Sequence, residues 1–245
     1  MPEPRVTDKS APWFASTQWG TVLSARDTDD PAAHDALERL CQTYWPPLYA
    51  YARHHGHAPH DAEDLTQAFF HRLLDRHFLA QVDPLKGRFR SFLVVAMNHF
   101  LANEWDHAHA VKRGGRVTFL PLDATAMEER YSAETTSNSS PEKDFDRRWA
   151  LTVIERVLAR LRDECNANGQ SRRFDALKDF LTGEDRMMSY AELAAQLETT
   201  EAALKMAVQR MRHRCGQLLR EEVAQTVARH EDVEEEVRCL FAALR

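Results

Sequence analysis

Apolar residues recur at intervals of three or four positions along most of this chain, the spacing that places them on one face of an α-helix. The first clear case is the segment 35–52, with Leu37, Leu40, Tyr44 and Leu48 in register. Strand-like alternation is scarce, and only 8 of the 245 residues are glycine. Hydrophobic residues make up 43% of the chain, enough to form a core. These features predict an all-α fold.

Breaks in the helical pattern separate the predicted helices. In the first part of the chain, helices are predicted at 35–52, 61–77 and 89–110. Pro46 and Pro47 are expected to kink or restart the first helix, because proline has no amide donor. In the second part, helices are predicted at 144–168, 172–181, 190–197 and 201–222, with a final amphipathic helix from 230.

The segment 116–143 between these two parts is polar and poor in aromatic residues, which is typical of a flexible linker. The sequence therefore predicts two small helical domains, at 35–115 and 144–222, joined by that linker. An N-terminal extension occupies 1–34, and an acidic helical extension occupies 223–245.

Basic residues are concentrated in two parts of the chain, although the net charge is −6 at pH 7. The segment 86–116 has an excess of lysine and arginine, and so does the segment 200–220. The segment 221–245 has an excess of acidic residues, seven against three arginines. Two basic segments in an acidic chain predict two separate contacts with a polyanion.

Neither a disulfide framework nor a zinc knuckle is expected, because no two of the four cysteines form a CxxC motif. The start of the chain has no apolar run of the kind found in secretory signals. No stretch approaches the roughly 20 apolar residues of a membrane span. We therefore expect a cytoplasmic protein.

Four histidines, at positions 54, 55, 57 and 60, lie beside Asp61, Glu63 and Asp64. Histidine and carboxylate groups at this density can bind zinc or iron. The ligand spacing of a known metal site is missing, so a metal site is disfavoured. The sequence also has no Gly-rich phosphate loop, nucleophile elbow or Cys–His pairing. It thus predicts no catalytic residue, no metal and no cofactor.

The segment 189–214 has the signals of a helix-turn-helix. Ser189 and Glu192 are spaced as in a capping box, and Thr200 can cap the next helix. On that second helix the inward positions are Leu204, Val208, Met211 and Cys215, and the outward positions are Lys205, Gln209, Arg212 and His213. Such a helix can lie in the DNA major groove. The alternative is an ordinary helical hairpin with a solvated basic face.

The segment 61–74 predicts a helix with one polar face, formed by Asp61, Asp64, Gln67, Ala68 and His71. Acids in a first helical turn suit its positive end, so capping is the favoured interpretation from the residues alone. In the segment 87–103, aromatic residues alternate with basic and amide groups. That pattern suits stacking on separated DNA strands, but Phe89, Phe92 and Phe100 taken singly favour a core.

These three segments, in this order, resemble bacterial sigma factors of the extracytoplasmic-function (ECF) type. Asp-Ala-Glu-Asp-Leu-Thr-Gln from position 61 is similar to the family's core-binding helix, region 2.2. Gly-Arg-Phe-Arg-Ser-Phe-Leu from position 87 resembles regions 2.3 and 2.4, which melt and read the −10 element. The segment 189–214 resembles region 4.2, which reads the −35 element.

The resemblance implies a role for each segment. Binding of the polymerase core is expected of Asp61, Glu63, Asp64 and Gln67. Contact with the −10 element is expected of Arg88, Arg90, Asn98, His99 and Asn103. Contact with the −35 element is expected of Thr200, Lys205, Gln209, Arg210, Arg212 and Arg214. A flipped −10 base would lie near the loop 82–87.

The partners implied are the clamp helices and flap of RNA polymerase core, together with promoter DNA. An anti-sigma factor or a regulatory kinase is left open. The chain would be a monomer when free, and it would not be an enzyme. Ala68, His99 and Asp106 depart from the family pattern, and Glu198 replaces a frequent turn glycine, at some cost if that residue needs a positive φ.

Two other functions compete with this interpretation. A free-standing helix-turn-helix regulator would bind duplex DNA without polymerase. A metalloenzyme would use the histidine-rich segment. For the acidic extension after 222, the favoured expectation is a helix packed on the second domain. The alternative is self-inhibition, in which Glu234, Glu235 and Glu236 compete with DNA for a basic surface.

Overall fold

A computed structural model describes residues 31–73, 88–110, 128, 131, 140–182, 188–227 and 229–245. Every regular element within these ranges is helical, and none of them contains a strand. The predicted all-α fold is thereby confirmed. In this part of the chain no helix is both long and apolar enough to cross a membrane.

The first three helices are α1 (Pro31–His54), α2 (Pro59–Leu73) and α3 (Phe89–Ala110). Helix α1 continues through Pro46 and Pro47, so the predicted restart does not occur. Tyr44 and Leu48 on either side of the prolines are completely buried. Their packing in the core compensates for the missing amide donors, because burial of large side chains outweighs local helix preference.

The later helices are α4 (Pro141–Ala167), α5 (Ser171–Leu177), α6 (Asp179–Thr182), α7 (Tyr190–Gln196), α8 (Glu201–Ala224) and α9 (Val233–Ala243). A short 3₁₀ turn, His230–Asp232, precedes α9. The single helix predicted at 172–181 is divided into α5 and α6. The other predicted helices lie close to the observed ones where the structure describes them.

The chain forms two compact units. Unit 1 contains Met1–Thr152 and Val223–Arg245, and unit 2 contains Val153–Glu222. The C-terminal extension therefore belongs to the first unit. The expectation that its helix packs on the second domain is wrong, since its apolar positions Val233, Val237 and Leu240 are buried within unit 1.

An aromatic core holds the first three helices together in unit 1. The Tyr44 ring meets Phe89 edge-on at 5.4 Å, and Phe69 meets Phe100 at 5.7 Å. Trp149 from the start of α4 is completely buried in the same unit. Aromatic pairs of this kind add specific geometry to the burial of apolar area. The core fixes which faces of α2 and α3 stay exposed.

The core of unit 2 is smaller. It consists of Leu177, Phe180, Leu193, Ala194, Leu204, Ala207 and Val208, with Tyr190, Leu197 and Met211 packed at its edge. Helices α7 and α8 each contribute one apolar face to it. Their other faces are exposed and form the surface on which the predicted DNA-binding residues of α8 lie.

Candidate functional site

The polar face predicted on α2 is exposed. Asp61 and Asp64 are open to solvent, and Glu63 and Gln67 are half-buried. His60 lies 3.2 Å from Asp64, between Nδ1 and Oδ2. On the opposite side Ala62, Phe69 and Leu73 are buried, as predicted. The helix thus presents an acidic, accessible face, referred to below as the acidic face, which is formed by Asp61, Glu63, Asp64 and Gln67.

Helix α3 divides its predicted site residues into two groups. Asn98, His99 and Asn103 are exposed and lie on one side of the helix. Phe89 and Phe100 are buried at 0% and 4% exposure. These two rings therefore belong to the core and do not form a stacking surface. The loop 82–87, where a flipped base was expected, lies outside the described residues.

Arg88 and Arg90, at the start of α3, are both engaged by the C-terminal helix α9. Arg90 donates from Nε to Oε1 of Glu236 at 2.6 Å, and it also pairs with Asp146. Arg88 forms an ion pair with Glu236, in which Nε lies 2.8 Å from Oε2, and it donates from a terminal nitrogen to Glu235 at 2.8 Å. Burial by itself would lower the pKa of Arg90, but the two carboxylates outweigh it and raise that pKa.

The predicted caps of the helix pair α7–α8 are present. The Ser189 hydroxyl accepts a hydrogen bond from the Glu192 amide at 3.3 Å, and the Glu192 carboxylate accepts one from the Ser189 amide at 2.7 Å. This is the reciprocal capping box. The Thr200 hydroxyl accepts a hydrogen bond from the Ala203 amide at 3.2 Å, which caps α8. These local bonds set where both helices begin.

The turn between α7 and α8 contains one strained residue. Glu198 has a φ of 49°, the left-handed conformation that glycine adopts without steric cost. The sequence predicted a steric cost at Glu198 if its φ were positive, and this condition is met.

Replacing Glu198 by glycine is expected to raise the free energy of unfolding of unit 2 by about 1 kcal/mol, because the Cβ strain of a left-handed residue is removed. Urea unfolding followed by circular dichroism would measure it. Glu201→Gly, at the first position of α8, is the control and should destabilise the unit. An unchanged or lower stability of Glu198→Gly would contradict the prediction.

The outward face of α8 carries Lys205, Gln209, Arg210 and His213, all exposed. Met206 lies beside them with 53% of its surface exposed. Met206 was not among the residues predicted from the sequence, although its position between Gln209 and Arg210 on the helical wheel would have indicated it. An apolar side chain on such a face can contact a thymine methyl group.

Two of the arginines predicted for DNA contact on α8 form hydrogen bonds within unit 2. Arg212 donates to the carbonyl of Phe180 at 2.7 Å. Arg214 forms a two-point pair with Glu164 at 2.7 and 2.8 Å, and this hydrogen bonding raises its pKa. The hydrogen-bonding capacity of both guanidinium groups is therefore partly used within unit 2. Lys205, Gln209 and Arg210 therefore form the more available part of the surface.

Comparison with protein families gives a match to sigma-70 region 2 over residues 40–109, which lie in the first unit. This match supports a sigma factor of the sigma-70 family, with RNA polymerase core and promoter DNA as partners. Comparison with curated proteins and with solved structures gives no match.

The region 2 match encloses both the acidic face of α2 and the exposed residues of α3. The match ends before the helix pair α7–α8. The histidine-rich segment also lies within region 2. In the described part of the chain, no group of three or more histidine, cysteine or acidic residues is arranged to hold a metal ion.

Region 2 also receives two residues from the segment predicted to be a flexible linker. Glu128 accepts hydrogen bonds from Tyr49 at 2.6 Å and from Arg53 at 2.7 and 3.0 Å. These bonds lower the pKa of Glu128. The Tyr131 ring lies 5.0 Å from the guanidinium of Arg53 and 5.2 Å from that of Arg148. Most of the predicted linker lies outside the described residues.

Proposed function

We propose that this chain is an alternative sigma factor of the ECF type, which binds RNA polymerase core and directs it to promoters. The region 2 match, with an exposed acidic face on one of its helices, is the observation that carries the proposal. In this role the protein acts in the cytoplasm and leaves catalysis to the polymerase. The alternative, a free-standing helix-turn-helix regulator, is disfavoured because such a protein would not need a region 2.

Core binding is assigned to the acidic face of α2. Asp61 and Asp64 are exposed, while the buried side of the helix is anchored by Phe69 and Leu73. A rigid helix that holds charges in place suits a partner of opposite charge, because little side-chain and backbone freedom is lost on binding. The clamp helices of the core are the proposed partner of this face.

Promoter contact is assigned to two helices. Asn98, His99 and Asn103 on α3 would meet the −10 element, together with Arg88. Arg90, which is buried in its pairs with Glu236 and Asp146, would reach DNA only if α9 left its place. Helix α8 would enter the major groove at the −35 element with Lys205, Gln209 and Arg210, supported by Thr200, Arg212 and Arg214. The domain bounds proposed for this function are 35–115 for region 2 and 144–222 for region 4, although residues 144–152 at the start of α4 belong to unit 1.

Two substitutions on α8 test the −35 assignment. Gln209→Ala is expected to cost about 1–3 kcal/mol at one base pair and to relax specificity there, because glutamine pairs with an adenine edge. Lys205→Ala should weaken binding to all sequences, and it should lower the magnitude of the slope of log K against log salt by about 1. The probes are duplexes selected by the holoenzyme from a random pool.

Lys178→Ala removes the same charge from an exposed position in the turn between α5 and α6, and serves as the control. It should leave both the affinity and the salt slope unchanged. If Gln209→Ala lowered affinity for every sequence equally, or not at all, α8 would not be the base-reading helix.

A further inference from the structure

The C-terminal helix α9 is seated on region 2 next to the start of α3. Val233 and Leu240 are buried, and the Glu236 side chain is 0% exposed. The Phe89 amide donates to the carbonyl of Thr226 at 3.2 Å, which ties the chain before α9 to the same place. The acidic extension is thus held by both apolar packing and hydrogen bonds.

The two arginines under α9 differ in how tightly they are held. The Arg90 side chain is 8% exposed, pairs with Glu236 and Asp146, and lies 5.0 Å from the centre of the Trp149 ring. Arg90 therefore stabilises the fold, since breaking its buried ion pair would leave an uncompensated buried charge. It cannot turn toward DNA while α9 is seated.

Of these two arginines, Arg88 is the one that can exchange an acidic partner for another anion. Its side chain is 28% exposed, and its second partner, Glu235, is 61% exposed. Ion pairs between exposed groups contribute little, since water screens them. Glu235 can therefore leave Arg88 while the buried Glu236 keeps α9 in place.

We propose that Glu235 is an intramolecular stand-in for a DNA phosphate: it occupies Arg88 in the free protein, and the backbone of the −10 strand replaces it. The inference rests on the proposed function, since it concerns control of the same −10 surface. A DNA phosphate competes well for this guanidinium, because each phosphate neutralised releases condensed counterions. The acidic helix thereby reduces binding to DNA that offers too few other contacts.

Glu235→Gln in the full-length chain is the test, because it removes the charge and keeps the shape of an exposed side chain. The probe is a fluorescein-labelled single-stranded DNA of random sequence, about 20 nucleotides long. Anisotropy is measured for the free chain and for its complex with polymerase core. We expect Glu235→Gln to bind about two- to fivefold more tightly than wild type, the range for loss of one exposed competing pair.

Glu231→Gln is the matched control. It removes the same charge from a 70% exposed residue that pairs with Arg229 instead of Arg88. Its affinity should equal that of wild type. The gain of Glu235→Gln should also vanish in an Arg88→Ala background, where no guanidinium is left to release.

Other outcomes separate the proposals. An equal gain in Glu231→Gln would show a general charge effect and overturn the inference. If Arg88→Ala lowers affinity but Glu235→Gln gains nothing, the inference is overturned and the proposed function stands. If neither change alters affinity while wild type binds, Arg88 makes no DNA contact and the inference is overturned. If wild type binds no DNA even with core, the proposed function falls as well.

Discussion

Replacing both Asp61 and Asp64 by alanine is expected to weaken binding to RNA polymerase core by about 10- to 100-fold. Both carboxylates are exposed on α2, whose other side is packed into region 2. The substitution therefore removes charge from the proposed contact without disturbing the core of the unit. Co-migration with core on a sizing column, followed by titration of the complex, would measure the loss.

The double variant Asp163→Ala/Asp175→Ala is the control for net charge. Both of these acids are exposed and belong to unit 2, whereas the acidic face of α2 belongs to unit 1. This variant should join core as wild type does. If wild type joined core and the Asp61/Asp64 variant bound equally well, the acidic face would not be the core-binding surface. If wild type stayed apart from core, the sigma-factor proposal itself would be contradicted.

Glu236→Ala is expected to lower the free energy of unfolding of unit 1 by about 3 kcal/mol or more. Glu236 is completely buried and its carboxylate spans Arg88 and Arg90. Its removal leaves Arg90 nearly buried with only Asp146 as an acidic partner. All five tryptophans precede residue 153, and Trp45 and Trp149 are buried in unit 1, so urea unfolding followed by tryptophan fluorescence reports this unit.

Two further variants make the stability test specific. Glu235→Ala removes the neighbouring exposed carboxylate and should cost less than about 1 kcal/mol. Arg90→Met/Glu236→Leu replaces both charges by apolar groups and should recover much of the loss, because no buried charge is left unpaired. A loss below about 1 kcal/mol in Glu236→Ala would mean that α9 is not held by this pair.

Local chemistry explains why much of unit 2 was predictable from the sequence. The capping box of Ser189 and Glu192, and the Thr200 cap, involve residues three positions apart. The inward and outward faces of α8 follow from helical periodicity, because Leu204 and Val208 must enter the small core. The positive φ of Glu198, on which the predicted cost depended, is also a property of one residue in one turn.

The sequence was less informative wherever competing interpretations depended on distant contacts. Phe89 and Phe100 suited either a core or a stacking surface, and only their packing on Tyr44 and Phe69 decided for the core. Pro46 and Pro47 predicted a kink or a restart of the helix on local grounds. The helix continues through both prolines without a restart, because burial of their neighbours contributes more than backbone preference.

The sequence by itself determined the helices, their caps and the positions of the acidic and basic faces, because each depends on residues a few positions apart. The tertiary structure alone decided where the acidic tail lies. Glu236 and Arg90 are 146 positions apart. Their charges suggested attraction, but no periodicity or spacing links residues at that distance. Only the folding of α9 back onto region 2 brings them together, where burial turns a weak attraction into a fixed contact.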